Sequence, residues 1–222
     1  MARKRQVSGG GTAVEVEPER LDRWFARFSE RNDGVVCTEL DPRQVRVVGG
    51  NGVTATASVP FEPLAVEPGT RHDGLATEIL VEHARRPRRV GLLLVRLGGH
   101  SVGVAEGGRV TVSRTDRHLV HGRSAAGGWS QQRFARRREG QARQALRAAA
   151  DDAADVLGSR VADLDAVVLG GDRRALEELR ADRRLAEVFA KAEPRVLTVS
   201  EPRRSVLDEA AERARAVEIT VR

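Results

Sequence analysis

The sequence predicts a mixed α+β fold whose second half has α/β character, with an antiparallel β-meander followed by alternating strands and helices. Three short apolar runs between residues 90 and 113 are separated only by glycine-rich turns, which is typical of a meander. From residue 166 onward, apolar runs alternate with helical patterns. The 222 residues are 40% hydrophobic but only 3% aromatic, so we expect an aliphatic core in one medium or two small domains.

The N-terminal part of the chain predicts a leader and a small folded unit. Residues 1–13 are basic and then glycine-rich, so we expect a disordered leader. Residues 14–65 predict a small α+β unit that begins with a helix from Pro18 to about Arg31, in which aromatic residues at helical spacing form the core. Strand-like runs follow this helix, at residues 35–40, 45–48 and 53–59.

Residues 66–89 predict a connector with a short helix, and residues 90–222 predict the larger domain. A glycine-rich loop at 122–128 leads into a long basic helix at 130–157. The strands before this loop are expected at 90–97, 101–105, 109–113 and 117–121. After the long helix the expected elements are a strand at 166–169, a helix at 173–191, a strand at 195–199, a helix at 203–216 and a strand at 217–221.

The composition excludes several classes of protein. A single cysteine, Cys37, excludes an intramolecular disulfide and a zinc site built from cysteines. The longest apolar run is too short to span a bilayer, so we expect a soluble, cytoplasmic monomer without a membrane partner. We find no phosphate loop, no histidine pattern for a metal and no nucleophile elbow, and we therefore expect no cofactor and no metal.

The positive charge of the chain is concentrated in one segment. Residues 121–147 contain seven arginines and one acid, Glu139, which gives +6, the net charge of the whole protein. A local excess of arginine indicates a polyanionic partner, because the planar guanidinium suits phosphate. A solvated helix face is the alternative, but such faces usually interleave glutamate with arginine.

The junction between the glycine loop and the basic helix carries the candidate site. Gly127 and Gly128 allow the backbone to approach another molecule closely and to donate N–H groups to an oxyanion. Gln131 and Gln132 are neutral amides that can orient a water molecule. Trp129 is interpreted either as a buried anchor for the loop or as a stacking partner for a nucleobase.

The segment GGWSQQRFARRR resembles the GGQSALRFARLR pattern of the archaeal and eukaryotic class-one peptide release factors. Trp129 occupies the position of that family's catalytic glutamine, and glutamines follow two and three residues later. This arrangement resembles the Vms-like release factor family, in particular its actinobacterial branch. The matched positions are Gly127, Gly128, Ser130, Arg133, Phe134, Ala135, Arg136 and Arg138.

The resemblance implies a peptidyl-tRNA hydrolase that frees nascent chains from stalled or split ribosomes during quality control. Gly127 and Gly128 would then form the catalytic tip, and Gln131 or Gln132 would orient the attacking water, with Gln131 preferred because it is closer to the glycines. The implied partners are the large ribosomal subunit, with the rRNA of its peptidyl-transferase centre, and peptidyl-tRNA. The RNA-binding residues would be Arg123, Trp129, Arg133, Arg136, Arg137 and Arg138.

Two alternatives to this hydrolase remain open. A non-catalytic rescue factor that binds the ribosome or RNA is favoured by Trp129 at the position of the catalytic glutamine. A nuclease that cuts tRNA near its 3′ end would need clustered carboxylates, and residues 121–147 offer only Glu139. The carboxylates Asp151, Asp152 and Asp155, near the end of the long helix, are interpreted as solvated surface.

Overall fold

A computed structural model describes residues 4–7, 9–96, 98–117 and 130–222, and the side chains of 117 and 130–139 lie outside this description. The chain divides into two compact units. The first unit combines Met1–Pro87 with Glu212–Arg222, and the second is Arg88–Ala211. The boundary near the C-terminus falls inside the last helix.

The strands of the described residues form two sheets. The first has the order β1-β2-β12-β5-β4-β3-β6, and the second has the order β11-β10-β7-β8-β9. The strands are β1 (Lys4–Gln6), β2 (Thr12–Val16), β3 (Val35–Asp41), β4 (Gln44–Gly49), β5 (Thr54–Ser58), β6 (Thr70–Asp73), β7 (Arg89–Arg96), β8 (Gly99–Glu106), β9 (Arg109–Arg117), β10 (Ala166–Gly171), β11 (Ala192–Leu197) and β12 (Val217–Val221).

Six α-helices lie among the described residues, together with short 3₁₀ turns. The helices are α1 (Leu21–Arg31), α2 (Glu78–Arg85), α3 (Ser130–Val156), α4 (Arg173–Arg180), α5 (Ala186–Ala190) and α6 (Arg204–Arg215). The 3₁₀ turns are Pro18–Arg20, Gly158–Asp163 and Arg183–Leu185.

The first unit is an antiparallel sheet with α1 and α2 packed on one face. Alternation along its strands places Val45 and Val47 of β4 in the core with the aromatic face of α1, where Phe25 is fully buried. Trp24 stacks on Phe28 with ring centroids 5.8 Å apart. The prediction that the aromatic residues of this helix form core is therefore confirmed.

The second unit is a mixed sheet, as the sequence predicts. Strands β7, β8 and β9 form an antiparallel meander, whereas β10 runs parallel to β7 and β11 runs parallel to β10. One face of the sheet shares a core with α3, α4 and α5, including Leu93, Val102 and Leu169. The predicted order of meander, long helix and alternating strands is confirmed up to β11.

The expected disordered leader is wrong for its described part. β1 and the first residues of β2 pair as an antiparallel hairpin, which Gly9, Gly10 and Gly11 close with positive φ angles. Val14 and Val16 of β2 face the core of the first unit. The glycine run therefore makes a turn rather than a linker.

The expected boundaries of the N-terminal unit and of the larger domain also require correction. The segment expected as a connector, 66–89, contributes β6 to the first sheet and the buried Leu80 of α2 to its core. The last strand, β12, pairs antiparallel with β2 and β5 instead of closing the mixed sheet. The first unit is therefore built from both ends of the chain.

The helix expected at 173–191 is interrupted. α4 ends at Arg180, and the Asp182 side chain accepts a hydrogen bond from the backbone N–H of Arg184 at 3.0 Å, so a new turn begins there and leads into α5. The fourth meander strand expected at 117–121 and the loop at 122–128 lie outside the described residues beyond Arg117.

Candidate functional site

The candidate site lies between the end of β9 at Arg117 and the start of α3 at Ser130. Gly127, Gly128, Trp129 and Arg123 fall in this interval, outside the described residues. The backbone places two glutamines and four arginines of the predicted site in the first three turns of α3, while their side chains lie outside the description. These residues are Gln131, Gln132, Arg133, Arg136, Arg137 and Arg138.

α3 is one continuous helix of 27 residues, which corresponds to about 40 Å of length. From Ala145 onward one of its faces is buried, and this face is made mainly of alanines. Alanine has no side chain beyond Cβ, so a helix with an alanine face can pack close to a sheet. The buried residues at the end of this helix and directly after it are Ala145, Ala149, Ala153, Val156 and Leu157.

Gly91 of β7 lies where the leucines that follow α3 pack against the sheet. A Cβ added to Gly91 of β7 would lie 2.9 Å from Leu164 Cδ1 and 3.2 Å from Leu157 Cδ2. The leucines that follow α3 therefore occupy the space above this glycine. Position 91 requires glycine because of this packing; the φ angle of Gly91 does not lie in the left-handed region.

A buried histidine anchors the second half of α3 to the meander. His100 of β8 is 1% exposed, and its Nε2 lies 2.9 Å from Oδ2 of Asp152 on α3. Its Nδ1 is buried and has no hydrogen-bond partner among the described atoms. Arg114 of β9 donates from Nη1 to Oδ1 of the same carboxylate at 3.0 Å. One aspartate thus connects α3 to two strands.

The neighbouring carboxylates are also paired. Arg114 donates to Asp155 Oδ2 at 2.7 Å, and Arg184 donates to Asp151 Oδ1 at 2.7 Å. The interpretation as solvated surface is confirmed for Asp151 and Asp155, whose side chains are 64% and 63% exposed, and is wrong for Asp152, which is 21% exposed and contacts the buried His100. The separations in sequence, 52 residues for His100 and Asp152 and 33 for Asp151 and Arg184, explain why no local pattern indicates these pairs.

The charge environment of this anchor favours ionised carboxylates. Burial alone would raise the pKa of Asp152, but hydrogen bonds from His100 and Arg114 outweigh it, so the pKa lies below its ordinary value. Hydrogen bonds from the side chain and backbone of Arg184 likewise lower the pKa of Asp182. The same interactions with Asp182 and Asp151 raise the pKa of Arg184.

Metal-ligand clusters and membrane-spanning helices are both absent from the described residues. Within residues 4–7, 9–96, 98–117 and 130–222, no group of three or more histidine, cysteine, aspartate or glutamate side chains is arranged to hold a metal ion. Cys37 is buried and free. In the same part of the chain, no helix combines the length and apolar composition that crossing a membrane requires.

Comparison with solved structures finds matches at low sequence identity. The archaeal translation termination factor aRF1 is 14% identical over 90% of this chain and 70% of its own, with a TM-score of 0.45. Pelota of Archaeoglobus fulgidus is 16% identical over 95% of this chain and 64% of its own, with a TM-score of 0.30. Dom34 of S. cerevisiae is 8% identical over 94% and 65%, with a TM-score of 0.29.

Comparison with curated proteins finds no match. The family model described as the Actinobacteria/chloroflexi VLRF1 release factor matches residues 88–220, more than half of the chain. The matched range includes the meander, the diglycine segment and α3, and it confirms the resemblance that the GGWSQQRFARRR segment indicates. The chain therefore belongs to the actinobacterial and chloroflexi VLRF1 family of release factors.

Proposed function

We propose that this protein hydrolyses the ester bond between the nascent peptide and tRNA on stalled or split ribosomes, as part of ribosome-associated quality control. The observation that carries the proposal is the family match over residues 88–220, which includes the diglycine and the glutamines at the start of α3. Its partners are then the large ribosomal subunit and peptidyl-tRNA.

The proposed reaction needs an oriented water molecule and a site for developing negative charge. Water attacks the ester carbonyl, the C–O bond to the tRNA ribose breaks, and the products are a free peptide acid and a tRNA with a 3′-terminal hydroxyl. Gln131 or Gln132 would hold the attacking water through its amide, and backbone N–H groups near Gly127 and Gly128 would donate to the carbonyl oxygen in the transition state. Without side chains beyond Cα, the two glycines would enter a narrow RNA-lined centre.

The length of α3 and its attachment to the sheet at Asp152 support this proposal. About 32 Å of helix separates Gln131 from Asp152, which is fixed by His100 and Arg114. A long helix that is held at its distant end would bring its first turns into the RNA-lined centre, while the sheet remains outside that centre. Arg133, Arg136, Arg137 and Arg138 would contact phosphates of rRNA or tRNA along this helix, and binding would weaken steeply with salt.

The decisive experiment mixes the purified protein with large subunits that carry peptidyl-tRNA and measures the rate of peptide release. The double variant Gln131→Ala/Gln132→Ala should release peptide about 100-fold or more slowly, the loss typical when one oxyanion or water-orienting group is removed. Gln131→Ala should account for more of the loss than Gln132→Ala.

Gln141 and Gln144 provide the matched control, because they lie further along the same helix, where Gln144 is exposed and Gln141 is half-buried. The variant Gln141→Ala/Gln144→Ala should release peptide at the wild-type rate. Equal release by wild type and by the Gln131/Gln132 double variant would exclude the proposed chemistry. Subunit binding should be measured in parallel, so that a loss of release is not a loss of binding.

A non-catalytic rescue factor is the second candidate, and Trp129 at the position of the family's catalytic glutamine favours it. In that case wild-type protein would bind the subunits but would not release peptide beyond the rate without protein. The released RNA also tests a tRNA nuclease, since hydrolysis of the ester leaves the terminal nucleotides of tRNA intact.

A further inference from the structure

The exposed side of α1 carries three arginines at intervals of four residues. Arg23, Arg27 and Arg31 are all exposed, and they lie on the side of the helix away from the buried Leu21 and Phe25. We call these three residues the α1 arginine stripe. Four residues of helix rise about 6 Å, so the three side chains form a row along one helix face.

The α1 arginine stripe has no protein partner in the described part of the chain. No ion pair or hydrogen bond of its three side chains is formed there, although the acid Glu30 belongs to the same helix. The other arginines beside this helix are paired: Arg20 contacts Glu17, and Arg85 contacts Asp22 at 2.7 Å. The three stripe arginines therefore lack an ion pair within a unit whose charges balance overall, with 15 lysine and arginine residues against 15 aspartate and glutamate residues, the stripe included.

The helix under the stripe is held in place. Phe25 and Phe28 are buried in the core of the first unit, and Trp24 packs edge-on against Phe25 and stacks on Phe28. The ion pair between Arg85 and Asp22 also connects α1 to α2. A fixed helix keeps the spacing of the three backbone positions, so a ligand would have to order only the arginine side chains and not the backbone that carries them.

The surroundings of the stripe favour a nucleic acid over a protein. Protein interfaces usually have an apolar centre, and among the described residues the only exposed large hydrophobic side chain is Val36, on β3. A row of arginines without such a centre matches the phosphate backbone of RNA, since each planar guanidinium can donate two hydrogen bonds to a phosphate. We propose that the α1 arginine stripe binds the phosphate backbone of RNA, as a second RNA contact that is separate from the basic start of α3.

The salt dependence of RNA binding tests this proposal. The probe is protein-free large-subunit rRNA, and its Kd is measured at several salt concentrations for wild type and for Arg23→Gln/Arg27→Gln/Arg31→Gln. Each lost phosphate contact lowers the slope of log K against log salt by about 0.7 to 0.9, so the triple variant should lose about 2 to 3 from the slope. Glutamine is a good helix former, so the thermal unfolding of this variant should match that of the wild type.

A second triple variant controls for net charge. Arg109, Arg173 and Arg183 are exposed and also lack a partner among the described residues, but they lie on three different elements or turns. Arg109→Gln/Arg173→Gln/Arg183→Gln removes the same charge and should lower the slope by less than about 1. Equal slopes for the two triple variants would overturn the proposal.

Two further measurements separate this site from its rivals. In a background with Arg133, Arg136, Arg137 and Arg138 changed to glutamine, the stripe variant should still lower the remaining slope, because the two contacts are separate. If the stripe variant bound protein-free rRNA like the wild type but bound intact subunits less tightly, its partner would be an acidic protein and the RNA proposal would be wrong. Neither result depends on peptide release, so the proposed hydrolysis is tested independently.

Discussion

Asp152 has more structural connections than any neighbouring carboxylate on α3. Its two oxygens accept from His100 on β8 and from Arg114 on β9, and its side chain is only 21% exposed. Asp155 shares Arg114 but is 63% exposed. Because water screens an exposed pair and competes with it, the same arginine contributes less through Asp155 than through Asp152.

Asp152→Asn should lower the free energy of unfolding by about 1 to 3 kcal/mol, because the amide removes the charge that faces Arg114 and leaves the buried imidazole of His100 with a weaker partner. Urea unfolding followed by circular dichroism measures this change. Asp155→Asn is the matched control and should cost less than about 1 kcal/mol. Equal losses in the two variants would mean that the buried contact with His100 contributes nothing.

The direction of the pKa shift of Asp152 adds a pH dependence to the same variant. A carboxyl whose pKa is lower in the folded state contributes stability above its unfolded pKa of about 3.9, and this stability is lost as the pH falls through the folded value. Wild-type protein should therefore lose stability more steeply than Asp152→Asn below about pH 4. Between pH 5 and pH 8 Asp152 stays ionised in both the folded and the unfolded state, so its contribution to the difference in free energy of unfolding should remain constant.

Gly91 and Gly140 should respond in opposite ways to substitution by alanine. Gly91 lies under Leu157 and Leu164, so Gly91→Ala should destabilise the second unit by about 1 to 3 kcal/mol through overpacking. Gly140, in the exposed middle of α3, has open space around its Cβ position, and Gly140→Ala should stabilise the helix by about 0.5 to 1 kcal/mol. Chemical unfolding of both variants tests the opposite signs, and a gain from Gly91→Ala would refute the packing described here.

Helices and strands that produce a local residue pattern can be predicted from the sequence, whereas contacts between distant residues cannot. The strands β3, β4 and β5 and the meander are recognised because each alternates or is apolar between glycine turns. The start of α3 is predicted because a helical pattern begins directly after the glycine-rich loop. Its anchors are not, because His100 and Asp152 meet only when strands and helix are assembled. The turn at Asp182 does not disturb the helical pattern at 173–191, so that pattern predicts one helix where the structure has two, α4 and α5.

The residue pattern of β12 differs from that of the strands in the mixed sheet. β10 has the continuous apolar run of a parallel strand with both faces covered. β12 alternates, because Val217 and Ile219 are buried whereas Glu218 and Thr220, the residues that follow each of them, are partly exposed, which is typical of a strand in an antiparallel sheet. In β2 the partly exposed Glu15 likewise lies between the buried Val14 and Val16, and the two strands pair antiparallel in one sheet.

Across the whole molecule, the two units differ in how their sheets are connected. Every strand of the second sheet lies between Arg88 and Ala211, so that unit is continuous in sequence. In the first sheet β12 lies between β2 and β5, and Arg213 forms a bidentate pair with Glu15 at 2.9 Å. The first unit therefore cannot complete its sheet until β12 has been synthesised.

This connectivity predicts different behaviour for two fragments. Residues 88–216 retain every strand of the second sheet and all of α6, so this fragment should unfold cooperatively in urea. Residues 1–87 lack β12, which leaves the facing edges of β2 and β5 unpaired and removes Val217 and Ile219 from the core, so this fragment should show no cooperative transition. Joining residues 209–222 to the N-terminus of 1–87 through a glycine-serine linker should restore the transition, because the missing strand can then reach its place between β2 and β5. A cooperative transition in 1–87 alone would show that the central strand is dispensable and that the pairing of the chain ends does not hold the first unit together.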